Sequence, residues 1–218
     1  MKITYLGHSS FKIETNDKTI VIDPYNPDSI GLPWKETEAD VVLVSHHHDD
    51  HNYVEGISGH PFVIDSPGEY EVSDIRIQGL PAYHDAKQGE ERGVVTLFLI
   101  ESEGIYLGHF GDIGHPLEEE QQERLGVVDI ALVPIGGVFT INHEQASNMI
   151  AQIEPFIAIP MHYLRPGSKT EEWGFAPLEE FLSEMGVDEP ETQKVLKITN
   201  KSNLPEETEI VILEPQFS

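Results

Sequence analysis

The sequence predicts an α+β fold, a single domain (residues 1–218) of two mostly antiparallel or mixed sheets with helices on the outside. Three observations carry this reading. Short β-rich runs alternate with a few helical segments along the whole chain. Many of those runs are continuously apolar, as strands covered on both faces are. No linker-like stretch and no repeat of solenoid length interrupts the 218 residues, which are enough to bury a sizeable core without a disulfide or a structural metal.

Taken in order, KITYLG (2–7), SFKIET (10–15) and TIVIDP (19–24) read as successive strands, with a polar turn at Asn16-Asp17. VVLVS (41–45), PFVID (61–65), DIRIQGL (74–80), GVVTLFLI (93–100) and GIYLGH (104–109) continue the pattern, and VVDIALVPI (127–135), FIAIP (156–160), KVLKI (194–198) and EIVIL (209–213) complete it. Three helices are expected. Pro116 opens PLEEEQQERL in a first-helical position, acids fill the first turn, and Gly126 ends it as a surface helix. Asn142 and Gln145 resemble a capping box, followed by Ala146, Met149, Ile150 and Ile153 on one face before Pro155 stops the helix. Pro177 opens the third, with Leu178, Phe181, Leu182 and Met185 on one face and Gly186 after it.

Composition removes several function classes. With no cysteine, disulfides, thiolate catalysis and Cys-ligated zinc are excluded, so any metal must be held by His, Asp or Glu. A net charge of -26 repels polyanions and argues against a broad surface for long nucleic acid, which rests on Lys and Arg neutralising many phosphates. No run approaches the roughly 18 apolar residues of a membrane span, and MKITYLGHSSF turns polar too early for a signal peptide. The expectation is a soluble, cytoplasmic protein with a small-molecule substrate; assembly into a homo-oligomer is left open.

One stretch carries the chemistry. The apolar strand VVLV runs straight into SHHHDDH (45–51), an internal run with interleaved acids and therefore no purification tag. His46 and His48 are two apart, so in an extended segment they point the same way and can share one ion, while Asp50 and His51 can reach a second as the chain turns. Neutral imidazole and carboxylate suit a borderline cation such as zinc. A solvated polar loop is the alternative. His84, Asp112 and His162 also lie just beyond apolar runs, where strand ends can converge on one edge of a sandwich.

H-x-H-x-D-H, followed by a separate His, a Gly-Asp and a late P-x-H, resembles the metallo-β-lactamase superfamily. GHSSFKIE, IDPY, HFGD, PIGGVFT and PMHY are similar to landmarks of the small metal-dependent hydrolases related to ascorbate-6-phosphate lactonase, and the resemblance spans nearly the whole chain. It implies a four-layer αββα sandwich with two divalent metal ions at one edge, zinc first and manganese or iron as alternatives. By residue it implies His46, His48 and His84 on one metal, Asp50, His51 and His162 on the other, and Asp112 bridging. The implied activity is hydrolysis of a small ester, lactone or amide by a metal-bridging hydroxide, with Asp50 catalytic as well as ligating. Phosphodiesterase or nuclease activity on small or single-stranded nucleic acid, or β-lactamase activity, are the alternatives at the same site. His at position 48 and the lack of a flavin-binding domain argue against the oxygen-reducing diiron branch.

Asp23 in VIDPY is a candidate acceptor for a ligand imidazole, against an Asp-Pro turn of equal weight. His8 receives no ligand role, and His109 is expected to make local hydrogen bonds. His47, His60 and His115 are expected on the surface or in turns, while His143 is a candidate proton donor or a plain helix-start residue. Arg165 and Lys169 read as a solvated pair that would also suit an anionic substrate group.

Overall fold

A computed structural model describes Met1 to Phe217. The first part of the chain forms β1 (Lys2–Gly7), β2 (Ser10–Thr15), β3 (Lys18–Ile22), α1 (Pro27–Ile30), β4 (Thr37–Glu38), β5 (Val41–Leu43), β6 (Ile57–Ser58) and β7 (Phe62–Ile64). Then come β8 (Gly68–Val72), β9 (Ile75–Tyr83), β10 (Val94–Ser102), β11 (Ile105–His109), α2 (Glu119–Leu125), β12 (Ile130–Pro134) and α3 (His143–Ile153). The chain continues through β13 (Ile157–Met161), α4 (Lys169–Glu172), α5 (Leu178–Glu184), β14 (Glu191–Gln193), β15 (Leu196–Lys197) and β16 (Glu209–Leu213).

Two mixed sheets result. One has six strands in the order β15-β1-β2-β3-β5-β7, the other eight in the order β14-β16-β13-β12-β11-β10-β9-β8. Their inner faces share one core, in which Ile3, Phe11, Ile13, Ile20, Ile22, Val41 and Leu43 of the first sheet meet Ile77, Phe98, Ile100, Leu107, Leu132 and Ile159 of the second. Each such side chain contributes roughly 1.5–3 kcal/mol by leaving water. Strands β12 and β13 are buried along their full length, which is why they read as unbroken apolar runs.

The outer layers are unequal. Over the eight-stranded sheet, Ala146, Met149 and Ile150 of α3, Phe181 of α5 and Leu125 of α2 pack against Leu97, Ala131, Val133 and Ala158. Over the six-stranded sheet, Leu6, Val21, Val42 and Val44 are covered by Ala39, Ile57, Trp34 and Val54, so connecting segments replace a long helix there.

The three expected helices are present with one correction, and two single-turn helices, α1 and α4, were not expected. Asn142 accepts from Gln145 N at 2.9 Å and Gln145 Oε1 accepts from Asn142 N at 3.1 Å, the reciprocal box. Pro177 sits at the N-cap of α5. Pro116, however, lies outside α2, because Glu118 forms its own reciprocal box with Gln121 and sets the start there.

Strand direction decides where the functional edge lies. Strands β1, β3 and β5 point one way through two antiparallel pairings and one parallel pairing. Strands β9, β11, β12 and β13 likewise share a direction. The carboxyl ends of both sets meet at one edge, where His162 N donates to His8 O at 2.9 Å and Thr96 N donates to Ser45 O at 2.8 Å across the sandwich.

Candidate metal centre

Every chemically loaded residue of the sequence lies just past one of those strand ends. His8 follows β1, Asp23 follows β3, and the His46–His51 run follows β5. His84 follows β9, Asp112 follows β11, and His162 follows β13. Backbone geometry turns several of them inward. His8, Asp23 and His162 have φ of 54°, 45° and 53°, the left-handed region that non-glycine residues seldom occupy and that marks functional sites. The Tyr5 hydroxyl donates to His8 O at 2.8 Å and holds the first of these turns.

Seven predicted residues come together. His46, His48 and His84 offer nitrogen atoms within 4.8 Å of one another, as do the donor atoms of Asp50, His51 and His162 together with His8, which receives no ligand role from the sequence. Asp112 lies between the groups, with Oδ2 3.7 Å from His84 Nε2, 3.3 Å from His51 Nε2 and 3.0 Å from His162 Nε2. His51, Asp112 and His162 are sealed from solvent, whereas His48 is exposed and the Asp50 side chain keeps 17% of its surface. The 46–48 segment is bent rather than extended, yet the two rings still approach to 4.6 Å.

The surrounding hydrogen bonds assign the ring protons. Asp23 Oδ1 accepts from Ser45 N at 2.7 Å, and Oδ2 accepts from the Ser45 hydroxyl at 2.6 Å and from His51 Nδ1 at 2.9 Å. With its proton committed to Asp23, the Ser45 hydroxyl accepts from His46 Nδ1 at 2.9 Å. One buried carboxylate therefore turns Nε2 of both His46 and His51 toward the centre, which is the role considered for Asp23 rather than a bare turn. His46 Nε2, His51 Nε2, His162 Nε2 and Asp112 Oδ1 are buried without a hydrogen-bond partner. Buried polar atoms are rarely left so. A convergent set of unpartnered imidazole nitrogens and carboxylate oxygens fits a divalent cation.

Charge is arranged to match. Burial alone would raise the Asp112 carboxyl, but His162 and His51 hold it well below the usual carboxylate range. Asp50 behaves alike, its burial outweighed by His51 and His8. Burial lowers His46 to about 2 and His8 to about 4, so both are neutral at pH 7. Burial also opposes charge on His51, yet Asp112 and Asp50 prevail and raise it well above an ordinary histidine.

The remaining predicted residues fall into place around this centre. His8 Nε2 donates to Asp50 Oδ2 at 3.2 Å, a contact that the sequence does not reveal. His109 makes one of its bonds locally, Nδ1 accepting from Gly111 N at 3.2 Å, while Nε2 donates at 2.9 Å to Ser9 O in the first hairpin of the opposite sheet. His47 and His60 are exposed. His115 is not a surface residue: it is buried, accepts from Tyr83 N at 3.1 Å and bonds Pro116 O at 2.8 Å. His143 opens α3, and its Nδ1 lies 3.4 Å from Glu180 Oε2 of α5. Arg165 lies against the Tyr163 and Tyr5 rings, 4.9 and 5.8 Å from their centroids, and Lys169 donates to Asp28 O at 2.7 Å, so neither is the solvated pair expected. Phe175, unnoticed in the sequence, stacks on His162 with centroids 4.6 Å apart.

Comparison with known proteins agrees with this geometry. Residues 2–162 match the family described as "Beta-lactamase superfamily domain". The chain is 32% identical to a UPF0173 metal-dependent hydrolase of Thermococcus onnurineus, over 75% of this chain and 84% of that one. It is 30% identical to another from Methanopyrus kandleri, over 99% and 97%. Among solved structures, a Thermotoga maritima protein assigned as a zinc-dependent hydrolase of the metallo-β-lactamase superfamily superposes with a TM-score of 0.80 at 34% identity, covering 99% of both chains. Igni18, a metallo hydrolase from Ignicoccus hospitalis, superposes at 0.68 with 25% identity, over 98% and 95%.

Proposed function

The chain belongs to the UPF0173 metal-dependent hydrolases, with the metallo-β-lactamase fold, and from that premise we propose that it hydrolyses a small ester, lactone or amide at a centre of two divalent cations. The observation that carries the reading is the convergence of unpartnered donor atoms from His46, His51, His162 and Asp112. In this reading His46, His48 and His84 would hold one cation, Asp50, His51 and His162 would hold the other, and Asp112 would contribute to both. Zinc suits the donors best, and manganese or iron would accept the same nitrogen and oxygen set.

Such a cation pair supplies a nucleophile at neutral pH by acidifying water, and it polarises the oxygen of the group under attack. The protein's part is to fix the orientation of the imidazoles. Asp23 does this for His51 directly and for His46 through Ser45. Asp50 would orient the nucleophile or take its proton: it is the carboxylate of the centre with solvent access, and His8 holds its Oδ2 in place. A small-molecule substrate accords with the net charge of -26, which disfavours long polyanions.

The test is hydrolysis of a lactone and a phosphodiester side by side, with metal-loaded protein, chelated protein and Asp50→Asn. Lactone turnover lost in both controls is the expected result. Metal-dependent phosphodiester cleavage alone would replace this reading with a nuclease.

A further inference from the structure

Beside the candidate centre stands a group that the hydrolytic reading leaves unused. Phe175, stacked on His162, meets Phe139 edge-on at 5.5 Å, and Trp173 lies 5.7 Å from each of them. The Arg92 guanidinium carbon sits 4.0 Å above the Phe139 ring. Resting on proposed hydrolysis at this centre, we propose that Arg92 recognises a carboxylate on the substrate, whose flat apolar body lies along the half-buried Phe139 and Trp173.

Arg92 is presented by a built loop. The loop leaves β9 at His84 and returns through His84 N donating to Gly93 O at 3.0 Å. Inside it, both oxygens of Asp85 accept backbone N–H groups, from Lys87 at 2.8 Å, Gly89 at 2.9 Å, Glu91 at 3.1 Å and Arg92 at 2.8 Å. That carboxylate is spent on the backbone, and Glu91 pairs with Lys87. Among the described residues, Arg92 forms no ion pair with a carboxylate, in a chain where 39 acids face 13 Lys and Arg. Stacking uses the face of a guanidinium and leaves its in-plane N–H fork free for a planar, bidentate acceptor.

The facing loop is strained. Val138 has φ of 53°, a left-handed conformation that β-branched residues seldom adopt, and is 56% exposed. It directly precedes Phe139, whose ring lies under Arg92. A carboxylate is favoured over a phosphate because one cation balances one negative charge, and a dianion would meet the protein's acidic field underneutralised.

Calorimetric titration of metal-loaded protein with benzoate, phenylphosphonate and benzamide tests this, alongside hydrolysis of monomethyl and dimethyl terephthalate. Benzoate should bind about tenfold more tightly than benzamide. Arg92→Gln should abolish that preference and Arg92→Lys should retain part of it. An equal preference in Arg92→Gln, no preference in the unaltered protein, or tighter binding of phenylphosphonate than of benzoate would overturn the assignment. If Arg92-dependent benzoate binding occurs while neither ester turns over, the carboxylate site stands and ester hydrolysis falls. Turnover of both esters indifferent to charge and to Arg92 would give the reverse.

Discussion

Asp23 Oδ2 lies 2.9 Å from His51 Nδ1, and neither side chain reaches solvent. The same carboxylate fixes Ser45 and, through it, His46, so one residue outside the donor set orients two members of it. Asp23→Asn keeps the shape but turns an amide N–H toward a group that must itself donate. Zinc affinity should fall about 10–100-fold. Competition titration against a chromogenic chelator measures this, and an unchanged affinity would show that His51 needs no such support.

Removal of metal should lower thermal stability. A cation that binds only the folded state at 100 times its dissociation constant adds about 2.7 kcal/mol. Melting of zinc-loaded and EDTA-treated protein by circular dichroism should show the loaded form higher, and coincident curves would argue against a bound cation in the fold.

The metal-free protein should lose stability in acid. His8 is lowered from 6.5 to about 4 by burial, then by His162, against the opposing Asp50; burial also lowers His46, His84 and His109. These groups take up protons more readily unfolded than folded, so their contribution is complete above pH 6.5 and declines as the pH falls toward 4. His51 is raised, so its contribution changes above 6.5 and is level below it. Urea midpoints of chelated protein between pH 7 and pH 4 should therefore drop, and His8→Asn should flatten part of the drop.

Gly136→Ala should disturb the centre from behind. A Cβ there would lie 2.1 Å from the carbonyl oxygen of His162, a backbone atom that cannot swing away. A cost of roughly 1–3 kcal/mol is expected. A thermal melt gives that cost, and metal content should fall with it because His162 is displaced.

The donors were legible because each is a metal-capable residue placed immediately after an apolar strand, and the SHHHDDH run concentrates four of them in six positions. The capping box of Asn142 and Gln145 was equally plain, being local chemistry at fixed spacing. What escaped depends on contacts between distant segments. Nothing near residue 8 shows that its ring meets Asp50, nothing near residue 175 shows that Phe175 lies on His162, and Arg92 acquires its place only by meeting Phe139. His115 lies in a bend, as its sequence allows, but its bond to the Tyr83 backbone, 32 residues earlier, was illegible for the same reason.

Because the centre is assembled from the ends of six strands belonging to two sheets, no fragment of the chain owns it. A ribosome must release the polypeptide past His162 before the last imidazole is available. Until then, a cation meets His46, His48, Asp50, His51, His84 and Asp112 without His162 to complete the set. Loading with metal thus reports completed assembly of the sandwich, and an ion captured early is readily surrendered.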